Sequence, residues 1–419
     1  MMNKSIIALA TALTVCVGAF AQGPQGPAPK PAEPHFKWYG FVRNYFAYDS
    51  RESSAGTEDL YYYMPKDRNM VGDEDLNAVS SFRFAALTSR LGVDITGYEV
   101  AGYKVGGKIE TDFYSGVSGV TGTAQLRLRQ AFVTLSKEGR TWKIGQAWHP
   151  MAADLPDIFS LESGAPFGPF SRTPQVNFEA ALGSGVSFTA AAIWQMQYTS
   201  PGPDGNSANY IKYSCIPELY AGLNFKGKNG LLRVGAEYLN IKPRIYNEAK
   251  TAKVSDRIGT VNVFEYGQFT SGALTIKEKV TYANDGSHMN LVGGYGVSKV
   301  NTDGSWEYAA TRGVSGWLTA QYKAKGSKWV PSVLLGYVKN LGAAEDIVGG
   351  FWCKNSAANV AQMYRIQPEV LYNLGKVAFG LEYMMTSVQY GTPNARKVAT
   401  GDLHWITNNR VQMMVKYTF

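Results

Sequence analysis

Beyond residue 21 the chain has no uncharged apolar run of about 18 residues, which excludes a membrane-spanning helix there. Charge is also sparse. Charged residues make up 18% of the 419, against about 25% in an average soluble domain. Only 3 cysteines occur. Cys16 falls in the N-terminal apolar stretch, and Cys215 and Cys353 lie far apart, so they read as separate thiols and not as a disulfide framework. The 4 histidines, His35, His149, His288 and His404, have no metal-ligand spacing. No P-loop and no G-x-S-x-G elbow is present. These absences argue against an enzyme, and no cofactor or metal is expected. A barrel phospholipase would need a serine beside His404, but His404 next to Trp405 reads as an interfacial residue. Lys plus Arg is 41 and Asp plus Glu is 33, giving +8 without any basic run. No nucleic-acid partner is expected.

Gly (45), Tyr (26) and Phe (19) are plentiful, and 45% of residues are hydrophobic. This composition excludes disorder and points to many short strands joined by turns. Residues 1–4 form a positive n-region, 5–20 an apolar stretch, and Ala19-Phe20-Ala21 an A-x-A cleavage site. The expected organisation is a signal peptide over 1–21, a Pro/Gly-rich periplasmic lead-in over 22–35 and a β-barrel over 36–419. Removing the signal takes away only Lys4 and leaves a net charge of about +7.

The last ten residues read RVQMMVKYTF. Val411, Met413, Val415, Tyr417 and Phe419 are apolar at period two. Arg410, Gln412, Lys416 and Thr418 alternate with them, and Met414 is the exception. The same alternation recurs at 186–198, 231–242, 363–374 and 377–390. A terminal aromatic strand after an export signal resembles the closing strand of a bacterial outer-membrane barrel. Sixteen strands are expected, near 36–48, 80–96, 103–114, 125–135, 141–148, 173–182, 186–198, 215–226, 231–242, 256–269, 273–284, 311–323, 328–339, 363–374, 377–390 and 404–419. Their connections alternate short and long, as periplasmic turns and external loops do in an all-β transmembrane antiparallel barrel. Trp38, Trp142 and Trp329, with Tyr322, Tyr372 and Phe419, then fall on the short-turn rim as an aromatic girdle.

Four fragments follow in order between residues 89 and 157: Ser89-Arg90-Leu91-Gly92, a block from Gly107 to Phe113 reading GKIETDF, a block from Leu126 to Phe132 reading LRLRQAF, and Ile144-Gly145-Gln146-Ala147-Trp148. Together they resemble the DcaP-like outer-membrane porins, including the Bacteroidetes porins of this type. The resemblance implies a sixteen-stranded homotrimer in outer-membrane lipid and lipopolysaccharide, passing small anionic solutes such as dicarboxylates. The family's N-terminal helical extension has no counterpart in the Pro-rich segment, so its role is not carried over.

A charge facing lipid at mid-depth costs about 2–4 kcal/mol, so strand charges are expected to face the lumen. Period two then assigns Arg90, Lys108, Glu110, Asp112, Arg127, Arg129, Lys143, Lys277, Lys279, Lys323, Arg365 and Arg410 to the pore wall. Glu237, Glu369 and Glu382 follow the same rule. Arg127 and Arg129 stand out as the start of an anion-steering ladder; the alternative is a mixed wall selective by size alone. In strand 80–96, Leu91, Val93 and Ile95 facing out would turn Arg83 toward lipid, unless a bulge intervenes or Arg83 is interfacial. The loop after Trp148 is the expected constriction, with Asp154, Asp157 and Glu162 facing basic wall groups. Glu58-Asp59 and Asp73-Glu74-Asp75 read as solvated surface or a divalent-cation site, and Tyr61-Tyr62-Tyr63 as a protein contact or subunit clasp. The expected function is a passive porin. The alternatives are a closed adhesin or receptor barrel and a barrel enzyme.

Overall fold

The computed structural model of the chain describes residues 33–56, 59–115, 124–354 and 357–419. The expected signal peptide, the lead-in up to residue 32, and Glu58 lie outside the described residues.

Sixteen antiparallel strands close into a barrel. They are β1 (His35–Asp49), β2 (Ser81–Ala85 continued by Arg90–Val100), β3 (Tyr103–Ser115), β4 (Ala124–Lys137), β5 (Arg140–Trp148) and β6 (Arg172–Gly183). Next come β7 (Val186–Ile193), β8 (Glu218–Lys226), β9 (Gly230–Ile241), β10 (Ile258–Ser271) and β11 (Leu274–Asn284). The last five are β12 (Trp306–Tyr322), β13 (Trp329–Ala343), β14 (Val360–Leu374), β15 (Val377–Pro393) and β16 (Ala399–Thr418). Each pairs with the next, and β16 returns to β1 from Phe41↔Thr418 to Asp49↔Arg410, so the sheet has no open edge.

The greasy face of β16 is the outer one. Val411, Met413, Val415 and Tyr417 are all exposed, whereas Arg410, Gln412 and Met414 are buried inside. Met414 breaks the polar alternation because it packs with Tyr45 and Phe159 in the interior. An outer belt of uncovered Leu, Val, Phe and Tyr suits hydrocarbon and not water. At one end the hairpins are tight. Ala101-Gly102, Glu138-Gly139 and Ser184-Gly185 each hold two successive left-handed residues, the backbone that matches strand twist in two-residue turns.

The expected strand over 80–96 is broken. Residues 86–89 leave the ladder, with Thr88 at φ 70°. Phe82 and Phe84 face outward before the break and Leu91 after it. The irregular stretch shifts the parity, and Arg83 pairs with Asp59. The strand expected over 186–198 ends at Ile193, and the one expected from 215 starts at Glu218, behind a short helix α1 (Asn209–Ser214). Cys215 and Cys353 are separate free thiols.

Candidate functional site

The loop after β5, residues 149–171, runs inside the barrel. It touches β1, β9, β11, β12, β13, β14 and β15, a set of strands that only an interior segment reaches at once. Two bare wall positions receive it. A Cβ on Gly336 would lie 2.5 Å from the Phe167 ring, and one on Gly380 would lie 2.7 Å from the Phe159 ring. Tyr45 donates its hydroxyl to the Phe159 carbonyl at 2.8 Å, and the Phe159 N–H donates to Glu369 at 2.9 Å. The loop's carboxylates meet wall cations. Asp157 pairs with Lys277 at 2.5 Å, Asp154 with Arg233 at 3.5 Å and Glu162 with Arg365 at 3.4 Å. Lys279 instead donates to the carbonyls of Met151 and Asp154 at 2.8 and 2.6 Å.

Strands β1–β6 form a different face. Here β4 carries a bulge, with Glu110 opposite Gln130 and Thr111 opposite Leu128. Arg129 is the extra residue. Leu128 and Val133 both end up outside, and Arg127, Arg129 and Gln130 all turn inward. Arg127 grips Asp112 with two bonds of 2.9 Å. Arg129 bridges Glu110 at 2.8 Å and Asp112 at 2.7 Å. Other guanidinium groups rest on rings: Arg43 on Phe41 and Tyr45, Arg90 on Phe41, and Arg172 on Trp148 at 4.6 Å. Stacking orients a guanidinium and leaves its edge N–H groups available.

This face and the inner loop enclose a cavity of about 830 Å³. Seven cationic side chains line it (Arg43, Arg90, Arg127, Arg129, Arg172, Lys354 and Lys416) against four carboxylates, Glu110, Asp112, Asp157 and Glu369. The carboxylates are already engaged, by arginines, by Lys277, and by the Ser332 hydroxyl at 2.9 Å. Among the described residues Arg43, Arg172, Lys354 and Lys416 form no ion pair. The local field is therefore positive.

Of the wall residues read from the sequence, Arg90, Glu110, Asp112, Arg127 and Arg129 line the cavity. Lys108 pairs with Asp94 at 2.8 Å, and Lys143 lies over the Phe132 ring. Lys277 points inward, partly buried, and pairs with Asp157 of the inner loop. Three others need correction. Lys279, Arg365 and Arg410 point inward but are almost fully buried. Inserted loops cover them: Arg410 binds Asp49 at 2.7 Å and the Asp59 carbonyl at 2.6 Å. Lys323 is also corrected. It follows the end of β12 and is exposed at the turn. Glu237 and Glu382 are buried, and Gln367 donates to Glu382 at 2.8 Å. Tyr62 and Tyr63 are not a surface clasp. They are 0% and 3% exposed, because the loop after β1 also enters the barrel. Asp75 belongs to a loop network, accepting from Arg51 at 2.8 Å and from the N–H of Asn69 and Asn77. His404 contacts Asp67 of the same loop at 2.6 Å.

Arg43, Arg172, Lys354 and Lys416 were not singled out from the sequence. Period two across β1 and β16 marks Arg43 and Lys416, since Val42 and Tyr417 face out. Arg172 lies at a strand boundary and Lys354 in a loop, where alternation carries no information.

A closed sixteen-stranded antiparallel barrel, apolar outside and charged inside around a folded-in loop, has the fold of the outer-membrane porins. Residues 27–179 match the family model described as DcaP outer membrane protein, and over that stretch the resemblance to this family holds. Among solved structures the chain is similar to the outer membrane channel DcaP of Acinetobacter baumannii, with TM-score 0.66 and 20% identity, covering 95% of this chain and 100% of that one. It is similar to an anion-selective porin from Comamonas acidovorans, with TM-score 0.57 and 12% identity, covering 92% of this chain and 100% of that one. It is also similar to OmpT of Vibrio cholerae in its trimer form, with TM-score 0.53 and 12% identity, covering 92% and 99%. At these identities the likeness is one of fold. No curated protein matches the chain.

Proposed function

We propose that the protein is a passive outer-membrane channel for small hydrophilic solutes that favours anions, with small dicarboxylates as the solute class. The observation that carries this reading is the charge of the cavity wall: seven cations against four already engaged carboxylates. Rings of arginine and lysine lower the barrier to anions and raise it to cations. The Comamonas neighbour is described as anion-selective, in line with this reading. We also propose export with removal of residues 1–21, and a homotrimer set in outer-membrane lipid and lipopolysaccharide.

The test is single-channel recording in planar bilayers, followed by the reversal potential across a KCl gradient. Stepwise openings with chloride favoured are expected. Openings that favour potassium would overturn the anion preference. A second reading, a receptor barrel with a closed lumen, is favoured by the two loops that fill the interior. A silent bilayer, from protein shown to be folded by its heat-dependent gel shift, would select it.

A further inference from the structure

Two histidines and two glutamates meet inside the barrel at the root of the inner loop. His149 follows β5, Glu218 opens β8, Glu237 lies in β9, and His288 sits in the short turn Ser287–Met289. Each is at most 2% exposed. His288 Nε2 lies 3.0 Å from Glu237 Oε1 and 3.6 Å from Glu218 Oε2, and His149 Nε2 contacts Glu218 Oε1. One His149 nitrogen and one oxygen of each glutamate fall within 4.8 Å of one another. Among the described residues neither glutamate pairs with a lysine or arginine. Glu218 Oε2 is buried without a hydrogen-bond partner. A buried carboxylate oxygen left in that state is costly unless something binds it.

We propose that this cluster binds a divalent cation of the zinc type, with Glu218, Glu237 and His288 as ligands and His149 as the residue that positions Glu218. Protonation assigns the roles. His149 Nδ1 accepts from the Met151 N–H at 3.2 Å, so its neutral ring carries the proton on Nε2 and donates it to Glu218 Oε1. Oε2 is left for the metal. Asn262 donates to Glu237 Oε2 at 3.2 Å and leaves Oε1 in the same way. Outer-sphere donors of this kind orient metal-bound carboxylates. In the metal-bound form His288 would offer Nε2 to the ion and carry its proton on Nδ1, which has no hydrogen-bond partner among the described residues. Tetrahedral zinc, with bonds of about 2.0–2.2 Å, sets its donor atoms about 3.3 Å apart. The nitrogen–oxygen spacings of 3.0 and 3.6 Å bracket that value. The ion's two charges balance the two carboxylates and tie the roots of two interior loops to β8 and β9.

The test uses full-length protein extracted from outer membranes without chelator. Its metal content is read by mass spectrometry. After stripping, zinc and cobalt(II) are titrated into the folded protein and also supplied during refolding, because the cluster is buried. One equivalent of zinc per chain is expected, together with a visible cobalt d–d band that zinc abolishes. Glu218→Gln and Glu237→Gln are expected to lose the ion, and His149→Gln to weaken it. Wild-type protein that neither carries nor takes up zinc or cobalt by either route would overturn the proposal. So would wild-type affinity in a folded Glu218→Gln variant. The cobalt spectrum of the wild type decides the question if the variants do not fold. The inference does not depend on the channel reading.

Discussion

Lys354 shows what a single residue contributes to the lumen. It reaches the cavity from the segment before β14 and lies 4.3 Å over the Tyr198 ring. Burial disfavours its charged form and pushes its pKa down to about 8. The ammonium is therefore cationic below about pH 8 and neutral above it. The expected outcome is an anion preference that falls as pH is raised from about 7 to about 9. Lys354→Met is expected to show a weaker preference at neutral pH and to lose most of that pH dependence. Reversal potentials in a KCl gradient at each pH check both outcomes, and a flat profile in the wild type would place Lys354 off the ion path. Alternation exposed Arg127 and Arg129 in the sequence because they sit mid-strand. It could not expose Lys354, whose position depends on how a loop folds.

At the scale of elements, the inner loop depends on what the wall lacks. Phe167 packs onto Gly336, whose missing side chain is its seat. Gly336→Val would overfill that site, at a cost of about 1–3 kcal/mol to loop docking. The barrel itself is expected to persist, because neighbouring Leu335 and Tyr337 face outward. The measurement is single-channel noise and conductance: larger, flickering currents are expected, and wild-type traces would show that the loop does not control flow. The loop after β1 has a different lock. Hydrogen bonds from Arg51 and from backbone amides hold the Asp75 carboxyl at about 2, below its ordinary 3.8. Its contribution is full above pH 3.8 and is lost as pH falls toward 2. Pepsin is expected to spare this loop near pH 4 and cut it near pH 2, with Asp75→Asn cut at both. Equal cleavage of the wild type at the two pH values would disprove this lock.

For the whole molecule, closure of β16 on β1 leaves the barrel sheet with no open edge, so barrels that associate do so through side-chain faces and not by pairing wall strands. The proposed homotrimer is expected to appear as a trimer mass in mild detergent and as a monomer after boiling. A monomer mass before heating would contradict it. The number of strands, their order and the lipid-facing side were legible in the sequence because a barrel in hydrocarbon enforces period two and an even strand count. Strand ends at 193 and 218 were not, since a chain leaving the wall keeps its local composition.

Sequence alone determined the outer surface, the class of fold and the inward direction of most strand charges, because each follows from the nearest neighbours along one strand. Only the tertiary structure decided which of those charges line the cavity. Arg365, Arg410 and Lys279 obey the same alternation as Arg127, yet two loops from distant parts of the chain bury them. The same is true of His149 and His288, widely separated in sequence and joined through Glu218 and Glu237. Contacts of this kind depend on loop paths across the lumen, and no periodicity along the chain encodes those paths.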